Sequence, residues 1–212
     1  MENPKEFAEA VKAIKEQTEN KGEGNTMDLV IKPIQKLGKD KKRVKEIYMS
    51  AFQKEDRMHF GLMQIMSMLW HTEFLAFYDG DTLCGFVYMA TLRKLTFVMF
   101  FAVDENLRSK GYGGRILEKI AQIHPDCKMV VSCEPCDESA EDIGIRLRRK
   151  QFYLRNKYRE SGYYIKLGGK EQEVLVRNGE FSKREFVSFF WLYSNFTMRP
   201  KVWEHDPGMQ VN

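Results

Sequence analysis

The chain has 212 residues, enough for one domain with a substantial core and a short extension. Hydrophobic residues make up 43% of the chain and aromatic residues 13%, which excludes a disordered protein. The formal charge of +4 suits an anionic small ligand as well as a polyanion. The sequence contains no apolar run of membrane-spanning length, and its charged N-terminus lacks the apolar core of a signal peptide. We therefore expect a cytoplasmic protein without a membrane partner.

Four cysteines raise the question of a metal or redox site. Cys133 and Cys136 have the CxxC spacing of metal-binding and thioredoxin-like pairs. A zinc site needs a second pair of ligands, and no matching Cys/His pair appears in the sequence. We therefore expect no metal, and we interpret the pair as reduced thiols near a strand end, as is usual in the cytosol.

The first residues differ in pattern from the rest of the chain. Residues 1–20 have the spacing of a short amphipathic helix, and the glycine-containing segment 22–26 reads as a linker. We assign residues 1–26 to an N-terminal helical extension, 27–196 to the folded domain and 197–212 to a C-terminal tail.

Within the domain, hydrophobic periodicity predicts helices first, then an antiparallel meander, then alternating strands and helices, which indicates an α/β fold with a mixed sheet. The segment 95–103 is nearly all apolar, as expected of a strand buried on both faces. The predicted elements are a strand over 28–33, helices over 39–52 and 55–70, strands over 74–78, 83–91 and 95–103, a helix over 113–123, a strand over 128–133, a helix over 139–156, strands over 158–167 and 173–177, and a helix over 183–194.

The most informative segment joins this apolar strand to the next helix. It carries three glycines in four positions at the start of the helix, with Arg108 and Lys110 just before them. Glycine allows positive φ and close approach of the backbone to a ligand. The first helical turn offers free N–H groups and a partial positive charge. Together these features predict an anion site that fits a diphosphate.

Two common phosphate-binding motifs do not match this loop. A P-loop ends in Gly-Lys-Ser/Thr, whereas Gly113 is followed by Gly114 and Arg115. A dinucleotide fingerprint needs a glycine where Ile116 stands. The remaining pattern, Arg-x-x-Gly-x-Gly after Val-Asp, resembles the coenzyme A loop of the GNAT superfamily. The residues that this resemblance assigns to the coenzyme are Phe101, Ala102, Val103, Arg108, Ser109, Lys110, Gly111, Tyr112, Gly113 and Gly114.

The resemblance also implies a fold and a reaction. GNAT proteins have a mostly antiparallel sheet with a splayed pair of parallel strands, and the pantetheine arm lies between them. The implied activity is transfer of an acetyl or other acyl group from acetyl-CoA to a primary amine, on a small molecule or a peptide. A homodimer is a further implication. The basic helix region 146–159 lacks a recognised nucleic-acid module, so we do not expect a nucleic-acid partner.

The resemblance further implies a tyrosine that protonates the departing thiolate. The family's second signature is a tyrosine followed four and five residues later by Gly-Phe. Tyr153 fits this signature, with Tyr158 in the aromatic place and Lys157 where glycine is usual. A frame shifted by five residues also fits, because Tyr158 is followed by Gly162 and Tyr163. We assign the catalytic role to Tyr153 and keep Tyr158 as the alternative.

No general base is evident. Many members of the family carry a glutamate on the long strand at the place that Phe97 occupies here. A non-catalytic acyl-CoA sensor is therefore the alternative function. The other residues that we consider as bases are Glu134, Glu73, His71 and Glu55.

Overall fold

A computed structural model describes residues 28–68 and 71–204 of the chain. The helical extension predicted for residues 1–26 lies outside the described residues. Among these residues, no helix is long and apolar enough to cross a membrane. Within these ranges the chain forms five α-helices: α1 (Asp40–Ala51), α2 (Phe60–Met66), α3 (Tyr112–Ile123), α4 (Ile143–Arg155) and α5 (Lys183–Tyr193).

The strands form one mixed sheet in the order β1-β2-β3-β4-β5-β7-β6-β8. Every neighbouring pair is antiparallel except β4 and β5, which confirms the expected α/β architecture. The strands are β1 (Val30–Pro33), β2 (Thr72–Asp79), β3 (Thr82–Leu92), β4 (Leu95–Val103), β5 (Lys128–Cys133), β6 (Arg159–Leu167), β7 (Lys170–Arg177) and β8 (Lys201–Glu204).

The parallel pair β4 and β5 separates partway along its length. Only Leu95 to Phe97 pair with β5, whereas the rest of β4 pairs with β3 alone. A bulge lies where the strands part: Phe100 pairs with Tyr88 and Val98 with Met89, which leaves Met99 as the extra residue. A bulge bends and twists its strand, so it accounts for the divergence. The expected splayed pair is confirmed.

Apolar layers cover both faces of the sheet. Helices α3 and α4 pack on one face, through a core that includes Ile116 and Tyr153. On the other face, α1 and α2 cover the half that contains β2 and β3. The remaining half of that face lies under α5, where Phe186 and Phe190 contact the ring of Phe97. These layers leave the gap between β4 and β5 at the centre of the domain.

Several boundaries differ from the prediction, each for a local reason. The helix expected over 55–70 is reduced to α2, because extended backbone at Arg57 interrupts it. The Arg57 side chain donates to the backbone oxygens of Phe52 and Met49 and so caps the end of α1. The helix expected from residue 139 begins at Ile143, after a turn in which Asp137 accepts hydrogen bonds from Ser139.

Two expectations about strands were also wrong. The central part of β4 is only partly buried at Met99, Phe100 and Phe101, so this strand is not buried along its whole length. The reason is that β5 turns away there. In addition, β8 lies in the segment expected to be a tail, and it pairs with β6. The sheet therefore extends past residue 196 to Glu204.

Candidate active site

The gap between β4 and β5 exposes main-chain hydrogen-bonding groups. The Asp104 N–H donates to the Cys84 oxygen at 2.9 Å, which fixes the alternation of the β3–β4 ladder. Ala102 then belongs to a pair that bonds to β3, whereas the N–H and C=O groups of Phe101 and Val103 point towards β5. Beyond Phe97, no strand among the described residues pairs with β4 on that side. Two of the three predicted β4 residues thus offer free backbone groups, and Ala102 does not.

Asp104 anchors the loop that follows β4. Its side chain caps the short 3-10 turn Glu105–Leu107 by accepting from the Asn106 N–H at 3.0 Å. Arg43 of α1 donates to the other carboxylate oxygen at 2.6 Å. These bonds hold the pKa of Asp104 below its usual value, although burial opposes them. The buried carboxylate therefore fixes the start of the loop to α1.

The loop ends at an uncapped helix start. Ser109 and Gly111 both have positive φ, at 62° and 83°. Gly111 is the N-cap of α3, and no side chain bonds there. The Arg115 N–H bonds to the Gly111 oxygen at 3.2 Å, so the three preceding N–H groups of the helix have no intrahelical acceptor. Such a turn attracts anions.

Two cations stand next to this helix start. Arg108 and Lys110 are exposed, and neither forms an ion pair or hydrogen bond with another residue in the described ranges. Ser109 and Gly111, between and beside them, are also exposed. The predicted residues 108–111 therefore lie together on the surface, with their charges available to a phosphate group.

The glycines in the first turn serve helix packing as well. A Cβ on Gly113 would lie 2.9 Å from Cε2 of Phe152, and a Cβ on Gly114 would lie 2.7 Å from Oδ1 of Asn156. Both partners belong to the end of α4. The ring of Phe152 also stacks on Phe101 of β4, with centroids 6.0 Å apart. The glycines predicted to face a ligand therefore also let α3 and α4 approach each other.

Tyr112 is held from outside the loop. Its hydroxyl donates to Asp79 at 3.0 Å, and Arg115 donates to the same oxygen at 2.9 Å. The prediction placed Tyr112 among the coenzyme residues. Its hydroxyl is bonded to a carboxylate at the end of β2, which leaves its backbone N–H at the helix start for that role, and the assignment stays a prediction.

Tyr153 lies on α4, in the core cluster that includes Cys133 at the end of β5. Burial raises the pKa of its hydroxyl, with a further increase from Cys133, whereas the charge of Arg149 lowers it. Arg149 is one helical turn away and forms an ion pair with Glu134, the residue after β5. Tyr153, Arg149 and Glu134 therefore lie together at the C-terminal end of β5.

The alternative tyrosine lies deeper in the core. The Tyr158 hydroxyl is buried and has no hydrogen-bond partner among residues 28–68 and 71–204. Burial raises its pKa, Tyr153 adds to the increase, and Arg177 opposes it. Arg177 pairs with Met129 near the start of β5. The two hydroxyls are therefore influenced by charges at opposite ends of that strand.

The end of α4 matches the Tyr153 frame. Lys157 has φ of 69°, in the left-handed region that glycine favours. The Tyr158 N–H bonds to the Tyr153 oxygen at 3.2 Å, as in a glycine-terminated helix. Gly162, the glycine of the shifted frame, lies instead at an irregularity within β6. Lysine thus replaces glycine in sequence while keeping its backbone conformation.

The expected positions of a base are scattered. Phe97 is packed against α5. Glu73 is buried with Oε1 2.8 Å from Nε2 of His124, and His71 also lies at that end of the sheet, near the start of β4. Glu55 precedes α2 in the turn Lys54–Asp56. Of these residues, only Glu134 adjoins the surroundings of Tyr153.

An ion pair joins the β6–β7 hairpin to the turn before α2. Lys170, in the β6–β7 hairpin, lies 2.5 Å from Asp56 in the turn before α2. The pKa of Lys170 is raised by this bond, and Glu55 and Glu134 add to the effect. The turn and the hairpin are thus joined close to Glu134.

Comparisons with known proteins agree with this geometry. The model of the acetyltransferase (GNAT) family matches residues 41–143. No curated protein sequence matches the chain. The match covers β4, the loop and α3, and it ends at the first residue of α4, before Tyr153.

Solved structures show the same fold. A protein from Bacteroides thetaiotaomicron assigned to the GNAT family superposes with a TM-score of 0.65 at 19% identity, over 80% of this chain and 99% of that one. The ribosomal-protein-S18-alanine N-acetyltransferase of Escherichia coli gives 0.53 at 9% identity, over 73% and 96%.

An aminoglycoside 6′-N-acetyltransferase complexed with coenzyme A gives a TM-score of 0.52 at 14% identity, over 70% of this chain and 96% of that one. At these identities the likeness establishes the fold alone. The family match over β4, the loop and α3 shows that residues 41–143 are similar to the GNAT family of acetyltransferases.

Proposed function

We propose that this protein transfers an acetyl or other acyl group from acyl-CoA to a primary amine by direct attack. The proposal rests on one juxtaposition, in which the open side of β4 leads into an uncapped helix start flanked by free cations. A long ligand with a diphosphate at one end and an amide-containing arm at the other fits this arrangement. Coenzyme A has this shape.

In this proposal the residues 108–114 hold the diphosphate. The free N–H groups of α3 bind its oxygens, and Arg108 and Lys110 supply positive charge. The backbone of Phe101 and Val103 pairs with the pantetheine amides as a missing strand would. Phe152 and Phe101 form an apolar wall beside it.

The reaction then needs a polarised thioester carbonyl, removal of a proton from the amine and protonation of the departing thiolate. A backbone N–H on β4 polarises the thioester carbonyl, an effect worth on the order of 3 kcal/mol for one donor. The neutral amine attacks the carbonyl carbon, so that a C–N bond forms and the C–S bond breaks. Tyr153 donates its proton to the departing thiolate.

We assign the removal of the amine proton to Glu134, acting through water. Phe97 offers no carboxylate, and Glu73 is committed to His124. Glu134 is exposed enough to reach solvent and lies next to the Tyr153 environment. Its ion pair with Arg149 holds it at the mouth of the gap.

The proposed acceptor is a primary amine on a small molecule or a peptide. Two structurally similar proteins are named for a ribosomal-protein alanine and an aminoglycoside, both of which carry amines. The turn Lys54–Asp56 and the β6–β7 hairpin bound the acceptor side in this proposal. Homodimer formation and a cytoplasmic location stay predictions.

The first test is calorimetric titration with coenzyme A. We expect the double variant Arg108→Ala with Lys110→Ala to weaken binding about tenfold or more and to leave the thermal unfolding midpoint unchanged, since both side chains are exposed. A matched control replaces Lys36 and Lys39, two exposed lysines far along the chain from the loop. Absence of binding to the parent protein would refute the proposal.

The second test is thiol release from acetyl-CoA across a panel of small amines and peptides. Turnover with any amine, accompanied by an acylated product in mass spectrometry, supports the enzyme. The alternative, an acyl-CoA sensor, is favoured by the buried Phe97 in place of a glutamate. Tight coenzyme binding without turnover on any acceptor would favour the sensor.

A further inference from the structure

Asp79 is a carboxylate that lies unexpectedly close to a site for anions. It ends β2, just before the left-handed Gly80 of the β2–β3 turn, and only 14% of its side chain is exposed. Its Oδ2 accepts hydrogen bonds from Tyr112 and Arg115. Its other oxygen is buried without a partner in the described part of the chain. A buried carboxylate beside an anion site would repel the anion, so its presence there calls for a structural explanation.

The two donors flank the part of the loop that has no side chains of its own. Tyr112 and Arg115 are three residues apart, so they lie on the same side of the first turn of α3. Gly113 and Gly114 stand between them. The Arg115 guanidinium also lies over the Tyr112 ring, 5.1 Å from its centroid. The Asp79 carboxylate therefore holds the first turn of α3 in place, because the two glycines in that turn have no side chains that could do so.

The charges around Asp79 cancel locally. Arg115 neutralises the carboxylate, so the net positive charge of the site comes from the helix start, Arg108 and Lys110. If the role of Asp79 were electrostatic, it would oppose an anion. Its two hydrogen bonds instead order the turn before a ligand arrives, and ordering in advance lowers the cost of binding.

We propose that Asp79 is a positioning residue that pre-orders the first turn of α3 for the diphosphate of acyl-CoA. The inference rests on the proposed function. Asp79 does not contact the ligand; it acts through Tyr112 and Arg115. The residue lies in a hairpin 33 residues before Tyr112, and it links the β2–β3 turn to coenzyme affinity.

Three variants separate ordering from charge. Asp79→Ala removes both hydrogen bonds and the charge, and we expect it to weaken coenzyme A about tenfold. Asp79→Asn keeps an acceptor oxygen but loses the charge, and we expect binding within threefold of the parent protein. Asp81→Ala, at an exposed position in the same turn, should leave affinity unchanged.

The measurements are calorimetric titration with coenzyme A and, once an acceptor is found, kcat and KM. The expected change lies in the KM for acetyl-CoA, with the kcat and the acceptor KM unchanged. If Asp79→Ala proves unstable, Tyr112→Phe removes one of the two bonds and should weaken binding about threefold. Coenzyme binding by Asp79→Ala as tight as that of the parent would overturn the inference, as would equal losses in the Asn and Ala variants. Failure of the parent itself to bind would instead refute the proposed function.

Discussion

Gly113 lies directly against the ring of Phe152, so close that a Cβ on residue 113 would stand 2.9 Å from Cε2 of the ring. The ring has little freedom to move, because Phe101 stacks on it from β4. The close approach of α3 to α4 thus requires glycine at position 113. The position of the α3 start is therefore set by packing against α4 as well as by the loop backbone.

We therefore expect Gly113→Ala to destabilise the protein by roughly 1 kcal/mol, as measured by urea unfolding. Overpacking costs about 1–3 kcal/mol, and the helix propensity of alanine offsets up to about 1 kcal/mol of it. Adding Phe152→Leu should restore part of the loss, because the smaller side chain makes room for the new methyl group. If the double variant recovers nothing, the contact with Phe152 is not the cause.

Tyr153→Phe should lower kcat on the order of 100-fold, because general acid catalysis contributes about that much or more. Coenzyme affinity should not change. Burial raises the pKa of Tyr153, so the proton donor stays protonated and kcat should show no alkaline loss below about pH 10.

The control for this experiment is Tyr158→Phe. The Tyr158 hydroxyl is buried without a partner in the described ranges, so its removal should leave kcat unchanged and should not reduce stability. The reverse result, a large loss in the Tyr158 variant and none in the Tyr153 variant, would transfer the catalytic role to Tyr158.

Lys157→Gly should stabilise the protein by about 1 kcal/mol, because a side chain in the left-handed conformation costs roughly that much. Lys157 also contacts Glu118 at 3.3 Å, but both side chains are exposed and the pair contributes little. Lys157→Ala removes that ion pair and keeps the Cβ, so it should not raise the unfolding midpoint. Equal effects of the two variants would exclude backbone strain as the cause.

His124 should make folding stability depend on pH. Burial alone would lower its pKa, but the neighbouring Cys127 and the Glu73 carboxylate, 2.8 Å away, raise the pKa to about 9. Since the value in the folded state exceeds the ordinary value of about 6.5, the stabilisation is complete below pH 6.5 and is lost as pH rises through 9. The expected loss is roughly 3 kcal/mol, since each unit of pKa difference corresponds to about 1.4 kcal/mol.

Urea unfolding at pH 6 and pH 9 measures this effect. His124→Gln cannot titrate, so the difference between the two pH values should shrink in that variant by most of the 3 kcal/mol. An unchanged difference would mean that another group causes the pH dependence.

Much of the fold could be predicted from the sequence because the signals are local. The run over 95–103 and the helix that begins near Gly113 have periodicity and turn residues within their own segments. In contrast, β8 has only four residues, and its place beside β6 depends on pairing with a strand forty residues earlier. Such a short segment carries no periodic signal of its own.

The site was predicted less completely, for the same physical reason. The loop 108–114 could be identified from its glycines and cations. The sequence around Asp79 indicates only a turn, because nothing in its neighbourhood points to Tyr112 and Arg115 as partners. The roles of Gly113 and Gly114 likewise depend on side chains of α4 that come close only in the folded chain.

The extra residue at Met99 also decides which way the rest of β4 faces. Side chains alternate along a strand, so one inserted residue exchanges the two sides for everything that follows. Val98, Phe101 and Val103 consequently share the layer of α3 and α4, while Phe100 and Ala102 face α1 and α2. If residues 95–103 formed a regular strand without the bulge, Phe101 and Val103 would face the opposite layer; deleting Met99 would remove the bulge and keep their present orientation. The bulge in the middle of the strand thereby sets the orientation of the wall along which the pantetheine arm is proposed to lie.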